Sequence, residues 1–138
     1  MSDRYFLDTN ILVYAYDSHE PTKQDRAQSL LLEGMDREAA VVSTQVLGEF
    51  FNVVTRRIPQ PLTADAAQRI IEHFSIMTVV EIDVPMIHRA IEGHRSYQLS
   101  YWDALIVAAA ERAACAQILS EDLNEGQSYH GVRVANPF

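Results

Sequence analysis

The amino-acid sequence predicts a single α/β domain over residues 1–138, in which helices cover both faces of a central, mostly parallel sheet of four to five strands. The chain has 138 residues, 48% of them hydrophobic, which is the size and composition of one domain with a substantial core. Short apolar runs alternate along the chain with stretches of helical periodicity. This alternation is typical of a parallel sheet that is buried between helices.

Each predicted strand is a short apolar run beside a helical segment. The first is the clearest, because Tyr5, Phe6 and Leu7 are apolar and lead directly into Asp8. The later runs "AAVVS", "MTVVEI", "AQILS" and "VRVA" are equally short. The predicted strands are therefore residues 4–8, 39–43, 77–82, 116–120 and 132–135.

The predicted helices are segments whose apolar residues recur at spacings of three and four. In "TQVLGEFFNVVTRR", for example, Val46, Leu47, Phe50 and Val54 form a broad apolar face. Two prolines in "RRIPQPLT" end this helix and separate it from the next. The predicted helices are residues 10–16, 22–35, 44–57, 63–76, 84–97 and 100–114.

The charge balance restricts the possible functions. Nineteen acidic residues outnumber eleven basic ones, which gives a net charge of −8, so overall charge is a poor means of holding nucleic acid. A second possibility is that some acids gather around a cation. The charged start "MSDRYFLDTN", the lack of a long apolar run and the single cysteine, Cys115, lead us to expect a cytoplasmic protein with no membrane segment and no internal disulfide.

Two acids follow predicted strands. Asp8 ends the first strand and Asp122 lies just beyond "QILS". Ligands of parallel sheets bind outside the carboxyl ends of the strands, so these two positions can meet in space. The alternatives are that Asp8 caps the following helix and that Asp122 is a turn residue, with Glu121 competing for any role.

Two further acids lie in apolar helices. Glu49 stands one turn inside "TQVLGEFFNVV", too deep for a cap, although a solvent-facing position remains open. Asp103 precedes seven apolar residues, and its spacing from Ser100 also suits a capping box. If the four acids converge, their charges repel unless a divalent cation binds. Mg²⁺ and Mn²⁺ prefer such oxygen ligands, and their typical chemistry is displacement at phosphorus.

Four segments, "FLDTNILVYA", "TQVLGEFFNV", "SYWDALIVAAA" and "ILSEDLNEGQ", resemble in order the acidic motifs of PIN-domain ribonucleases, and are most similar to VapC-type toxins of bacterial toxin–antitoxin pairs. The resemblance implies a PIN-like fold and an Mg²⁺-dependent (or Mn²⁺-dependent) endoribonuclease. It also implies a homodimer, an RNA substrate and a cognate antitoxin. The implied catalytic acids are Asp8, Glu49, Asp103 and Asp122, with Asp8, Asp103 and Asp122 as metal ligands and with Asn10 and Ser120 in support.

Two other functions remain open on the sequence alone. One is a phosphatase with an aspartate nucleophile after the first strand, although such chemistry usually needs a second acid where Asn10 stands. The other is a catalytically silent domain that binds a partner. For the ribonuclease, arginines must hold RNA phosphates locally, and each candidate is equally compatible with a solvated surface role. These candidates are Arg56, Arg57, Arg89 and Arg95.

Overall fold

The computed structural model of the chain describes residues 3–138 and contains one six-stranded sheet. The strands are β1 (Tyr5–Leu7), β2 (Ala40–Ser43), β3 (Thr78–Val80), β4 (Gln117–Leu119), β5 (Ser128–Tyr129) and β6 (Val132–Ala135). Their order across the sheet is β3-β2-β1-β4-β6-β5. All pairs are parallel except the pair β5 and β6. The predicted α/β class and mostly parallel sheet are thus confirmed.

The helices alternate with the strands as predicted. They are α1 (Thr9–Tyr14), α2 (Pro21–Asp36), α3 (Thr44–Arg56), α4 (Ala64–Phe74), α5 (Val84–Tyr97) and α6 (Tyr101–Arg112). The predicted helices and strands are all present, with ends that differ by at most two residues. The first two residues of the predicted domain lie outside the described residues.

The sheet has six strands rather than the predicted four to five, because β5 is only two residues long and carries no apolar run. It pairs with β6 through a tight turn at His130 and Gly131, whose φ angles are 50° and 83°. Positive φ at both central residues is the geometry that joins antiparallel strands in two-residue hairpins, and glycine adopts it readily. The "HG" dipeptide was the sequence signal for this strand.

Both faces of the sheet are buried. Consecutive residues of a strand point to opposite faces, and both Phe6 and Leu7 of β1 are fully buried, as are Ile118 and, nearly so, Leu119 of β4. Helix α6 covers part of the sheet with an unbroken buried run from Ala104 to Ala110. No helix within residues 3–138 is long and apolar enough to cross a membrane.

The arrangement of β1 and β4 positions the candidate site. The two strands are adjacent and parallel, with Leu7 opposite Leu119. The next residues, Asp8 and Ser120, therefore leave the sheet side by side at its carboxyl edge. The Asp8 backbone N–H donates to the Leu119 carbonyl at 3.0 Å, which extends the pairing to the edge itself.

Candidate active site

Asp8 lies between the end of β1 and the start of α1, and it is buried, with only 7% of its surface exposed. Its Oδ1 accepts a hydrogen bond from the Thr9 backbone N–H at 2.7 Å, which caps the helix. Its Oδ2 accepts from the Ser120 hydroxyl at 2.7 Å and from the Asn10 amide at 3.4 Å. The capping role and a role at the sheet edge therefore use different oxygens of one carboxylate.

Asn10 and Ser120 connect the loop after β4 to Asp8. The Asn10 Nδ2 atom contacts Asp122 Oδ2 at 3.1 Å and Ser120 Oγ at 3.4 Å, while its Oδ1 accepts from the Glu121 backbone N–H at 3.2 Å. Ser120 is fully buried, and its Oγ also accepts from the Asp122 N–H at 3.1 Å. These bonds place Asp122 near Asp8, although Asp122 itself is exposed.

Glu49 is half-buried on α3 and faces the first turn of α1. Its Oε2 accepts from the Thr9 hydroxyl at 2.7 Å, and its Oε1 accepts from the Gln45 amide at 3.0 Å. Neither Thr9 nor Gln45 was among the sequence candidates. Gln45 could have been found, since residues four apart on a helix are neighbours, whereas Thr9 is 40 residues from Glu49 in the chain.

Asp103 occupies the first turn of α6, as the sequence predicted. Its backbone N–H donates to Ser100 Oγ at 3.1 Å, so Ser100 caps the helix. Partial burial raises the pKa of the Asp103 carboxyl, a hydrogen bond with Ser100 opposes this, and the charges of Asp122 and Glu49 raise it further. The Asp103 carboxylate therefore lies within electrostatic range of both.

The carboxylates at this edge destabilise one another's charged forms. Burial, the largest cause, raises the pKa of Asp8 to about 6, even though hydrogen bonds from Ser120 and Thr9 lower it. The charges of Asp122 and Asp103 add to the increase. In residues 3–138, no ion pair involves any of the four candidate acids. The site is thus an acidic cluster without a protein cation of its own.

The donor set suits a hard divalent cation, because every candidate ligand is a carboxylate oxygen. Within the described part of the chain, however, no three Asp, Glu, His or Cys side chains are gathered closely enough to form a ready-made metal site. The Asn10 amide contacts both Asp8 and Asp122. We conclude that the chemical character of these side chains suits a divalent metal ion.

Glu121 and Asp122 have different surroundings. The Glu121 carboxylate binds the Lys23 ammonium, and it accepts from the Tyr14 hydroxyl at 2.5 Å. Burial opposes its ionisation, but the Lys23 and Tyr14 hydrogen bonds lower the pKa of Glu121 on balance. Its charge is therefore already compensated, whereas Asp122 contacts the Asn10 amide beside Asp8. The sequence did not reveal the Lys23–Glu121 pair, whose members are 98 residues apart.

Comparison with known proteins places this geometry in context. A family model described as "PIN domain" matches residues 5–124, whereas none of the curated proteins searched matches the chain. Solved structures with a similar fold include VapC20 of Mycobacterium tuberculosis, described as a sarcin–ricin-loop-cleaving toxin, which is 19% identical with a TM-score of 0.72 and covers 94% of this chain and 98% of its own.

Two further similar structures are complexes. A toxin–antitoxin complex from Klebsiella pneumoniae is 19% identical, has a TM-score of 0.70 and covers 97% of this chain and 98% of its own. DNA-bound VapBC from Salmonella typhimurium is 14% identical, has a TM-score of 0.69 and covers 100% of both chains. At these identities the likeness is one of fold.

Proposed function

The chain belongs to the PIN-domain family, and on this premise we propose that it is a metal-dependent endoribonuclease that acts as the toxin of a toxin–antitoxin pair. The observation that supports this most directly is the hydrogen-bonded connection of Asp8, Ser120, Asn10 and Asp122 at the carboxyl ends of adjacent strands. The fold that the chain shares with the sarcin–ricin-loop-cleaving toxin VapC20 supports RNA as the proposed substrate class.

In this proposal, Asp8, Asp103 and Asp122 hold Mg²⁺ or Mn²⁺. When bound, the cation supplies water activation and charge stabilisation at phosphorus. Ser120 and Asn10 orient Asp8 and Asp122 through the hydrogen bonds described above. Glu49, which Thr9 and Gln45 hold at the same cleft, is left to accept a proton at a carboxylate oxygen.

The phosphatase alternative has less support. An aspartate nucleophile of that kind would need a second acid at position 10, and there the Asn10 amide donates to Asp8 and Asp122 instead. The amide lacks an acidic proton to give to a leaving group. The ribonuclease proposal uses Asn10 in the role its contacts suit, as a positioning residue.

The direct test is cleavage of RNA by the purified protein. We expect endonucleolytic products with Mg²⁺ or Mn²⁺ and none with excess chelator, because the acids cannot approach a phosphate without a cation to offset their charge. Mapping RNA ends after brief induction in cells would then identify the target. Cleavage that persists unchanged in chelator, or no cleavage of any RNA with either metal, would overturn the proposal.

The partner proposals follow the same family resemblance. We propose a cognate antitoxin as a protein partner, supported by similar folds solved in toxin–antitoxin complexes, and the cytoplasm as the location. We also propose a homodimer, since several large apolar side chains are solvent-exposed. Ile76, Leu32, Val84 and Trp102 are 74%, 68%, 64% and 62% exposed, respectively.

Light scattering tests the dimer. We expect twice the chain mass of 15.6 kDa at micromolar concentration, with Trp102 in the contact because it flanks a shallow apolar groove beside Ile82, Ile87 and Leu105. Trp102→Glu should then give the monomer mass, because a charge is costly in an apolar contact. Leu32→Glu on α2 tests a rival exposed apolar residue that lies outside this groove, and it should remain dimeric. A monomeric wild type would contradict the dimer, and a dimeric Trp102→Glu would contradict this face.

A further inference from the structure

A groove of about 570 Å³ extends from the acidic cluster between α1 and α3. One wall is formed by Asn10, Val13 and Tyr14, and the other by Glu49, Asn52 and Val53, followed by Arg57. In each wall the residues are three and four apart, so they share one face of their helix. Its volume lies within the usual range for small-ligand sites, about 300–1,000 Å³.

The two ends of the groove differ in charge. Glu49 and Asp122 line it at the acidic cluster, whereas Arg57 follows the last turn of α3. Arg57 lies eight positions after Glu49, which corresponds to about 12 Å along the helix. Of the residues that line the groove, Arg57 is the one with a positive charge.

The Arg57 side chain makes no hydrogen bond and no ion pair with the residues that the structure describes. Among the acids that line the groove, Glu121 is already bound by Lys23 and Tyr14. The Arg57 guanidinium, which has no partner among the described residues, is available to an external anion. Guanidinium groups bind phosphate oxygens with two parallel hydrogen bonds.

The other arginine candidates lack this arrangement. Arg89 binds both Glu111 oxygens at 2.8 Å, and it also contacts Glu92 and His130. Arg56 and Arg95 are exposed, as Arg57 is, but neither of them lines the groove. The structure therefore separates four candidates that the sequence left equivalent.

We propose that Arg57 binds a backbone phosphate of single-stranded RNA that flanks the phosphate at the acidic cluster, so that the strand lies along the groove between α1 and α3. This inference rests on the proposed ribonuclease function. Val13 and Val53 offer apolar surface to a ribose or base, and the Asn52 amide offers both a donor and an acceptor to a base edge. Arg57 is thus a substrate-binding residue, distinct from the acids that carry the chemistry.

The test compares Arg57→Gln with Arg56→Gln, which removes the same charge one residue away and outside the groove. Binding of a fluorescent single-stranded RNA oligonucleotide is measured at low salt, where phosphate contacts are strongest. Ca²⁺ replaces Mg²⁺ in this measurement, because it also binds oxygen ligands and so offsets the charge of the acidic cluster, and the oligonucleotide is verified to be uncleaved at the end. We expect Arg57→Gln to weaken binding about tenfold and to reduce the slope of log K against log salt by about 0.7. Arg56→Gln should change affinity less than about twofold, because a solvated charge outside the groove contributes little.

Kinetics with Mg²⁺ provide the second readout. Arg57→Gln should raise KM and leave kcat near the wild-type value, since the lost contact is not at the reacting phosphate. Equal effects of the two substitutions, or wild-type protein that does not bind RNA at low salt, would overturn the inference. If the wild type cleaves RNA but the two variants behave alike, Arg57 is misassigned and the ribonuclease stands. If Arg57→Gln alone weakens binding but the wild type cleaves no RNA, the assignment of Arg57 to RNA binding is supported and the proposed ribonuclease activity is wrong.

Discussion

Asp8→Asn should reduce metal-dependent RNA cleavage by more than about 100-fold, the upper end of what loss of an outer-shell partner of a metal ligand costs. Asp8 is the most buried of the four acids, and its carboxylate is oriented by Thr9, Ser120 and Asn10. The amide removes the negative charge that a divalent cation requires but keeps the size of the side chain. Asp103→Asn should have a comparable effect, since Asp103 lies within electrostatic range of Asp122 and Glu49.

The control is Asp25→Asn, the same chemical change on the exposed surface of α2. Initial rates on one RNA substrate are measured for all variants at saturating Mg²⁺, and circular dichroism verifies that each is folded. Asp25→Asn should cleave at the wild-type rate. A folded Asp8→Asn or Asp103→Asn protein that cleaves at a similar rate would show that the corresponding acid is misassigned.

Metal should stabilise wild-type protein far more than Asp8→Asn. A cation that binds only the folded state increases the unfolding free energy by about 2.7 kcal/mol at a hundredfold excess over its dissociation constant. Wild type should therefore melt at a higher temperature with Mn²⁺ or Mg²⁺ than with chelator. Asp8→Asn should gain much less, because it lacks the most buried candidate ligand. Thermal melts of both proteins, with metal and with chelator, measure the two shifts, and Asp25→Asn should shift like wild type.

Without metal, the difference in stability between wild type and Asp8→Asn should depend on pH. The folded pKa of Asp8, about 6, lies above the usual value of 3.8, so the protonated form is favoured by folding. This contribution is complete below about pH 4 and is lost as the pH rises through 6, which lowers the free energy of unfolding by about 3 kcal/mol. Metal-free Asp8→Asn avoids this cost, and at pH 7 it should melt at or above the wild-type temperature.

Two results would count against this view of Asp8. Equal metal-induced shifts in wild type and Asp8→Asn would mean that Asp8 holds no metal and that helix capping is its main role. A metal-free difference between the two proteins that stays constant from pH 4 to pH 7 would mean that burial does not disfavour the Asp8 charge. Asp25→Asn again serves as the control. Because the Asp25 side chain is exposed, the melting temperature of this variant should stay close to that of wild type at both pH values.

The sequence predicted those parts of the molecule that local patterns determine. Apolar runs and helical periodicity located the long elements, and Asp8 and Glu49 were noticeable because charges interrupt apolar segments. The strand β5 was not predicted, since two residues are too few to show an alternation of apolar and polar side chains. Its only signal was the turn at His130 and Gly131.

The contacts within the site depend on how distant segments pack, and no local pattern encodes this. Thr9 contacts Glu49 across 40 residues, and Lys23 contacts Glu121 across 98. The second contact bears on which acid of "SED" is available to a cation, a question that residue types alone leave open. The surroundings of Arg57 likewise emerged only from the packing of α1 against α3.

The hydrogen bond between Asp8 and Ser120 joins residues 112 positions apart, and this has a consequence for protein synthesis. At about 5–20 residues per second, a ribosome adds Ser120 roughly 6 to 22 seconds after Asp8. Until then, β4 cannot lie beside β1, and the nascent chain has no assembled acidic edge. On the proposed ribonuclease function, a nascent copy cannot cleave its own messenger before β4 is made, and a product truncated before β4 would lack the assembled acidic edge.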